Sequence, residues 1–205
     1  MARFAWGAKR HIKGEHRLLN LHQLSSRRFL RVLGSLIALG ALTLCGQGVS
    51  REYQLKAVFL YRFAQFVDWP PTAFPTRDSP IVIGVLGRDP FGELLEAAVR
   101  NERVGDRRLT VHHYQRVQDI KQDQILFISA SEDGRLEKIF TDLKGRSILT
   151  VGETENFALR GGMVQFFTQQ NRIRFRINLK AARAAHLQLS SKLLELAEVM
   201  NAQQE

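Results

Sequence analysis

The sequence predicts an α/β fold, a single three-layer domain whose mixed, mainly parallel sheet has helices on both faces. A continuously apolar run at residues 81–86 and a mainly apolar run at 125–129 are typical of strands that are covered on both faces. Amphipathic segments with helical spacing separate these runs, as in chains that build parallel sheets from strand–helix–strand units. An antiparallel hairpin over residues 163–177, followed by a long helix, completes the predicted domain.

Residues 1–48 have the layout of a secretory signal peptide. They contain eight of the 30 Lys and Arg residues and one of the 20 acidic residues, and an uncharged apolar run at 32–46 follows Arg27, Arg28 and Arg31. This run is shorter than the ~20 apolar residues of a membrane-spanning helix. We therefore expect cleavage after Gly48, and an uncleaved N-terminal anchor is the alternative.

Cys45 is the only cysteine, and it lies within this leader. The bulky Leu44 precedes it where a lipoprotein signal has a small residue, so cleavage is expected rather than lipidation. The mature chain would then contain no disulfide. Because the leader also accounts for +7 of the net charge of +10, the high pI does not indicate a nucleic-acid-binding protein.

The mature domain is predicted to begin with a helix over residues 50–67. Its buried side consists of five apolar residues at helical spacing: Leu55, Val58, Phe59, Phe63 and Phe66. The helix ends before Trp69 and Pro70, because the residue before a proline disfavours the α conformation. Four of the five prolines then occupy the loop over residues 70–80, which favours an extended and stiff connection.

Strands and helices alternate in the middle of the chain. After the strand at 81–86, Asp89 and Pro90 suit the N-cap and first position of a helix that continues to about Arg100. A short strand is predicted at 109–111 and a buried one at 125–129. The remaining predicted elements are a helix from the capping-box spacing Ser129–Glu132 through Leu143 and a strand at 148–151.

The C-terminal part predicts a hairpin and a helix. Strands at 163–168 and 172–177 are joined by the polar turn 169–171, and residues on the second strand alternate between two faces. Arg172, Arg174 and Arg176 share one face, and Ile173, Phe175 and Ile177 share the other. Asn178 suits a helix N-cap. An apolar stripe then predicts a helix to Met200: Leu179, Ala182, His186, Leu189, Leu193, Leu196 and Met200.

Five segments of the chain can be compared with known families: residues 53–60, 63–70, 83–92, 149–152 and 161–199. Their order and spacing resemble those of the YfiR family of bacterial periplasmic proteins. The resemblance covers most of residues 49–205, which we take as one YfiR-like domain. It implies a small periplasmic regulator that restrains a membrane-bound diguanylate cyclase. The family's relatives use disulfides, which a mature chain without cysteine cannot form.

The three arginines are the sharpest candidate for a binding site. Side chains on one face of a strand repeat every ~6.6–7 Å, so Arg172, Arg174 and Arg176 could bind a phosphate, a carboxylate or an acidic partner surface. The alternative is a solvated sheet face paired with acidic residues. No catalytic, metal or cofactor site is expected. His112 and His113, as neighbours on a strand, would face opposite sides.

Two functions from different classes remain open. The first is an exported, non-enzymatic regulator that binds the periplasmic sensor part of a membrane diguanylate cyclase and lowers cyclic-di-GMP output, as the resemblance implies. The second is a periplasmic small-molecule-binding module that serves another sensor or receptor, and a small anionic ligand at the three arginines would fit this function. A homodimer through the final helix is a further expectation, although the apolar stripe of that helix fits equally well against the sheet of its own domain.

Overall fold

The buried apolar runs form the centre of an eight-stranded sheet in the computed structural model, which describes residues 51–200. The helices are α1 (residues 51–66), α2 (Glu93–Val99), α3 (Leu136–Asp142), α4 (Leu179–Ala184) and α5 (Ser191–Glu195). The strands are β1 (Val67–Asp68), β2 (Ile81–Leu86), β3 (Arg103–Val104), β4 (Arg107–Tyr114), β5 (Ile125–Ile128), β6 (Leu149–Gly152), β7 (Val164–Gln169), β8 (Arg172–Asn178), β9 (Gln188–Leu189) and β10 (Glu198–Met200). Short 3-10 helices lie at Pro71–Ala73, Val117–Asp119 and Ala130–Arg135.

The large sheet is mainly parallel, as predicted. Its strand order is β10-β8-β7-β6-β5-β2-β4-β3. Antiparallel pairing occurs between β7 and β8 and between β3 and β4, and the other neighbours in this sheet are parallel. β1 and β9 form a separate antiparallel pair. The prediction of a mixed sheet that is completed by an antiparallel hairpin is therefore confirmed.

Helices cover both faces of this sheet, which confirms the three-layer architecture. Alternate residues of the central strands enter two separate cores because side chains of a strand alternate between its faces. One core contains residues of α1, α2 and α4, including Leu60, Leu95 and Ala182. The other contains residues of α3, including Leu136 and Ile139.

The hairpin between β7 and β8 closes through a two-residue turn. Gln170 and Asn171 have φ values of 49° and 59°, and a turn with positive φ at both central residues matches the right-handed twist of the flanking strands. Gln169, which the sequence places in the turn, pairs with Arg172 as the last residue of β7.

The predicted long C-terminal helix is wrong. α4 ends at Ala184, His186 has a φ of 59°, and β9, α5 and β10 follow within the next 14 residues. The backbone N–H groups of His186 and Leu187 donate to the carbonyls of Arg183 and Ala182, which is the hydrogen-bond pattern of a Schellman helix end. His186 is exposed in this position and does not lie on a buried stripe.

Tertiary pairing is the physical reason for this break. β9 pairs with β1, which directly follows α1 in sequence, and β10 pairs with β8 at the edge of the large sheet. Ser190 caps α5, since its hydroxyl accepts from the N–H of Leu193. The apolar residues Leu187 and Leu193 still enter the core. Residues 179–200 do not form the single long helix on which the expected dimer interface was placed, and dimerisation itself stays a prediction.

Smaller differences concern where elements begin. α2 begins at Glu93 because Asp89 instead accepts from the N–H groups of Phe91 and Gly92 (2.8 and 3.1 Å) in the preceding turn. The strand predicted at 109–111 extends over eight residues as β4. The helix predicted after Ser129 divides into the 3-10 helix Ala130–Arg135 and α3.

The signal-peptide, anchor and lipidation predictions fall on residues 1–48 and lie outside the described residues. None of the helices within residues 51–200 combines the length and apolar character that crossing a membrane requires.

Candidate functional site

Arg172, Arg174 and Arg176 lie on one face of β8, opposite the face that enters the core through Phe175 and Ile177. Their cross-strand neighbours on β7 are polar or aromatic: Gln169, Phe167 and Gln165, in that order. We call the three arginines the arginine face. It continues the side of the sheet that α3 covers, but it lies toward the tip of the hairpin.

Arg176 is the most constrained member of the arginine face. Its guanidinium carbon lies 4.6 Å from the centre of the Phe167 ring, and its Nη2 donates to Glu198 Oε2 over 3.3 Å. Glu198 is the direct neighbour of Arg176 on β10. A guanidinium that stacks on a ring and pairs with one carboxylate is held in a defined orientation.

Arg172 and Arg174 are exposed. Within residues 51–200, neither has a carboxylate at ion-pair distance, which distinguishes both from Arg176. Of the three arginines, Arg176 is thus the one that pairs with an acidic residue within residues 51–200. The arginine face retains two guanidinium groups that can each donate to a carboxylate or phosphate.

A second cluster of charged residues joins α1 to the carboxyl end of β6. Lys56 is buried, and its Nζ lies 2.5 Å from both Glu52 Oε1 and Glu153 Oε2. Tyr53 donates its hydroxyl to Glu153 Oε1 over 2.9 Å. Burial and this carboxylate raise the pKa of Tyr53 well above its ordinary value. All four side chains of this cluster have hydrogen-bond partners, so the cluster is suited to hold α1 in place.

Sequence patterns show half of this cluster. Glu52 and Lys56 have the spacing of an ion pair on a helix surface, which would suggest an exposed pair of little consequence. Glu153 lies 97 residues from Lys56 in sequence, and nothing in the sequence indicates that the two meet.

A third polar cluster lies where β4 and the loop before β5 meet. The hydroxyl of Tyr114 donates to Asp123 Oδ1 over 2.9 Å, and His112 Nδ1 lies 3.1 Å from the same hydroxyl. Because the tyrosine has a single proton to donate, His112 Nδ1 acts as donor to the tyrosine oxygen. The cluster therefore connects an exposed imidazole to a buried carboxyl group.

Asp123 is nearly inaccessible, with 3% of its surface exposed. Its Oδ2 has no hydrogen-bond partner within residues 51–200. Desolvation is the main cause that raises the pKa of Asp123 to about 6, against the opposing effect of the Tyr114 hydrogen bond. Gly84 of β2 makes room for this carboxyl group, since a Cβ there would collide with Oδ2.

His112 and His113 face opposite sides of β4, as the sequence predicts. His113 Nε2 lies 3.2 Å from Asp89 Oδ2 and 3.6 Å from Glu96 Oε1, on the side of α2. Among residues 51–200, no group of three or more His, Cys, Asp or Glu side chains is arranged to hold a metal ion.

Polar side chains occupy the point where β2 and β5 send their connections to opposite faces of the sheet. Open α/β sheets often bind ligands at this point. Here Gly87, with a φ of 91°, approaches Ser131 so closely that an added Cβ would lie 2.5 Å from the hydroxyl oxygen. The same hydroxyl accepts from the N–H of Arg88 over 2.9 Å. This close packing leaves little room for a ligand between Gly87 and Ser131. The arginine face is more accessible than this point of the sheet, because Arg172 and Arg174 are exposed.

The fold and these clusters define a class of protein, a three-layer α/β domain with a basic, partly stacked face on its C-terminal hairpin. The family model of YfiR/HmsC-like proteins matches residues 53–198, which is nearly the whole described domain. The chain therefore belongs to the YfiR/HmsC-like family. Members of this family are periplasmic regulators of diguanylate cyclase activity, and the family is regulatory rather than catalytic.

A search of curated proteins found no significant match. Among solved structures, the chain is similar to a conserved domain protein from Vibrio cholerae O1 biovar El Tor strain N16961, with 12% identity and a TM-score of 0.45. The match covers 58% of this chain and 54% of the Vibrio protein, so this chain spans about half the length of that protein.

Proposed function

We propose that this protein is exported, binds the periplasmic sensor part of a membrane diguanylate cyclase and holds that cyclase inactive. The family match over residues 53–198 carries this proposal. The expected leader at residues 1–48 would deliver the chain to the compartment where such a sensor lies. Release of the protein by an envelope signal would raise cyclic-di-GMP and promote adhesion.

Inhibition of this kind is a shift between two conformations of the cyclase. A regulator that binds both conformations equally changes nothing, however tightly it binds. Each tenfold preference for the inactive conformation shifts the equilibrium by about 1.4 kcal/mol. The protein therefore needs contacts that exist with the inactive sensor and are lost with the active one.

The arginine face is the proposed contact with an acidic surface of the sensor. Arg172 and Arg174 are exposed and can each form a two-pronged hydrogen bond with a carboxylate. Arg176 already stacks on Phe167 in the free protein. Its side chain therefore loses less conformational entropy on binding than an unconstrained arginine would lose. Charges at the rim of an interface mainly set orientation and association rate.

Copurification of the full-length chain from membranes tests the proposal. Wild-type protein should retain a cyclase, and deletion should raise cellular cyclic-di-GMP. The Arg174→Glu variant should retain less cyclase than the wild type and should allow cellular cyclic-di-GMP to rise. It should still fold, because the side chain of Arg174 is exposed. Arg77→Glu makes the same charge change at an exposed loop position remote in sequence from β8, and should behave as wild type. Absence of any cyclase partner together with unchanged cyclic-di-GMP would refute the proposal.

The alternative is a module that binds a small anion for another sensor or receptor. Arg172 and Arg174 favour it, since neither has an ion-pair partner within residues 51–200 and each guanidinium group could bind a phosphate or carboxylate without a protein partner. A ligand that binds the folded state raises its stability by mass action. Thermal unfolding with a panel of small anions should then show a rise in Tm that Arg174→Glu abolishes and that needs no membrane protein.

A further inference from the structure

β10 is a short edge strand that covers only part of one side of β8. It has three residues, and it pairs in parallel with Arg176, Ile177 and Asn178 at the end of β8. β8 itself has seven residues. Within residues 51–200, no strand pairs with this side of β8 from Arg172 to Phe175. The larger part of the outer edge of β8 is therefore open.

The direction of the backbone groups on this edge follows from one hydrogen bond. The N–H of Asn178 donates to the carbonyl of Met163 over 2.8 Å, so Asn178 directs its backbone groups toward the β7 side. Backbone groups of a strand alternate in direction along the chain. Ile173, Phe175 and Ile177 therefore direct their N–H and C=O groups outward. β10 lies beside Ile177 and reaches neither of the other two, so a longer strand can pair with groups that β10 leaves open.

Glu198 shows how an acidic residue on such a strand contacts the arginine face. It is the direct neighbour of Arg176, and direct neighbours on adjacent strands have side chains on the same side of a sheet. Its carboxylate accepts from Arg176 Nη2 over 3.3 Å. Arg174 and Arg172 precede Arg176 on the same face, and neither has a carboxylate at ion-pair distance within residues 51–200. A longer acidic strand would extend the same pairing to all three arginines.

Few contacts hold β10 against β8. All three of its residues are only partly buried. Its ion pair joins side chains that are 30% and 41% exposed, and pairs of this kind add little stability. Leu196 and Met200 also keep the apolar spacing of a helix, so the local sequence does not favour a strand here. Displacement of β10 therefore removes little stabilising interaction.

We propose that the partner binds as an extended strand with acidic residues at alternate positions, and that this strand takes the place of β10 beside β8. This rests on the function proposed above for the arginine face, and it adds the form of the partner segment and the element that gives way to it. A parallel strand along Arg172–Asn178 brings a carboxylate to each of the three arginines, where β10 supplies one. Main-chain hydrogen bonds give such strand addition its affinity, and alternate side chains give it specificity.

A synthetic peptide tests whether this surface selects an acidic strand. The probe is fluorescently labelled Ser-Glu-Thr-Glu-Thr-Glu-Ser, and the control peptide has Gln in place of each Glu. In fluorescence anisotropy with the purified full-length chain, the control peptide should bind about tenfold more weakly, since it lacks three ion pairs. Arg174→Glu should weaken binding of the acidic peptide about tenfold, because a repulsive pair replaces an attractive one.

Glu198→Gln tests whether β10 competes with the peptide. The variant frees Arg176 and should lower the Kd of the acidic peptide about three- to fivefold, which is the effect of one partly exposed ion pair. Glu195→Gln is the matched control, because it removes the same charge from an exposed position without an ion-pair partner within residues 51–200. It should leave the Kd close to that of the wild type. A Glu198→Gln variant that binds no more tightly than Glu195→Gln would contradict the competition.

A disulfide between the two strands tests whether β10 must leave. Val199 is the direct neighbour of Ile177, and adjacent strands lie about 4.8 Å apart, which is within the disulfide range. In a Cys45→Ser background, Val199→Cys with Ile177→Cys should not bind the acidic peptide when oxidised and should bind it after reduction. The reduced form controls for the loss of two apolar side chains. Equal binding by the oxidised and reduced forms would overturn the replacement of β10.

The outcomes separate this inference from the function on which it rests. If the wild type binds neither peptide, or if Arg174→Glu binds the acidic peptide as well as the wild type, the arginine face is not the contact and both proposals fail. If Arg174→Glu weakens binding and the oxidised form still binds, the arginine face stands and the replacement of β10 fails. Copurification of a cyclase decides the proposed function independently of the peptide.

Discussion

Replacing Asp123 by Asn is expected to stabilise the protein at neutral pH, although the change removes a hydrogen-bonded carboxylate. Burial raises the pKa of Asp123 from its ordinary value of 3.8 to about 6. The folded protein therefore holds this proton more tightly than the unfolded chain does. Stability falls as the pH rises from about 4 to about 6, and the whole penalty is present above that range.

The size of the effect follows from the pKa shift and from one unpaired atom. A rise of about two pKa units corresponds to about 3 kcal/mol. In the variant, an amide NH2 group replaces Oδ2, which has no partner within residues 51–200, and this costs about 1 kcal/mol. We expect a net gain of about 2 kcal/mol at pH 7.5, equivalent to a rise in Tm of about 4–8 °C for a chain of this size.

Urea unfolding of the wild type and Asp123→Asn between pH 4 and pH 8 measures this difference. The gain should disappear near about pH 4.5 and become a loss of about 0.5 kcal/mol at pH 4, because protonation of Asp123 in the folded protein removes most of the penalty there. Tyr114→Phe is the control, because it removes the hydrogen bond to Oδ1 and should enlarge the penalty at neutral pH. A difference between Asp123→Asn and wild type that is constant across this range would refute the reasoning.

Two further predictions concern other parts of the chain. His186→Gly should stabilise the protein by about 1 kcal/mol, because a residue with positive φ at a helix end carries a Cβ penalty that glycine lacks. In a continuous helix the same change would destabilise the protein by about 1 kcal/mol. The sign of the change in Tm therefore distinguishes a helix that ends at Ala184 from one that continues. Lys56→Met should destabilise by about 3–5 kcal/mol, since it leaves the carboxylate of Glu153 without its cation. Adding Glu153→Gln should recover much of that loss in the same denaturant titration, and an undiminished loss would show that the ion pair is not its cause.

The candidate site was predictable in part because strand periodicity is a local property. The alternation between Arg172–Arg176 and Phe175–Ile177 requires that one set faces the core, and the structure has Phe175 and Ile177 buried. The contacts that distinguish the three arginines were not predictable. Arg176 meets Glu198 because residues 198–200 form an edge strand beside β8, and those residues look helical by their own spacing.

Sequence patterns do not predict the clusters around Lys56 and Asp123, for a similar reason. Lys56 and Asp123 would be expected at the surface as single charged residues. Their burial depends on Glu153, Tyr114 and Gly84, which the sheet brings close to them from other parts of the chain.

The sequence by itself determined the α/β class, the buried central strands, the extent of the first helix and the hairpin with its arginine face. These features rest on apolar periodicity, which depends on neighbouring residues alone. The sequence did not determine the buried side of the first helix, because Leu55 and Val58, predicted to be buried, are exposed. The tertiary structure decided how residues 179–200 fold, because pairing with β1 and β8 supplies backbone hydrogen bonds that one continuous helix would otherwise make. It also decided which carboxyl group is buried, since the burial of Asp123 depends on what the rest of the chain covers.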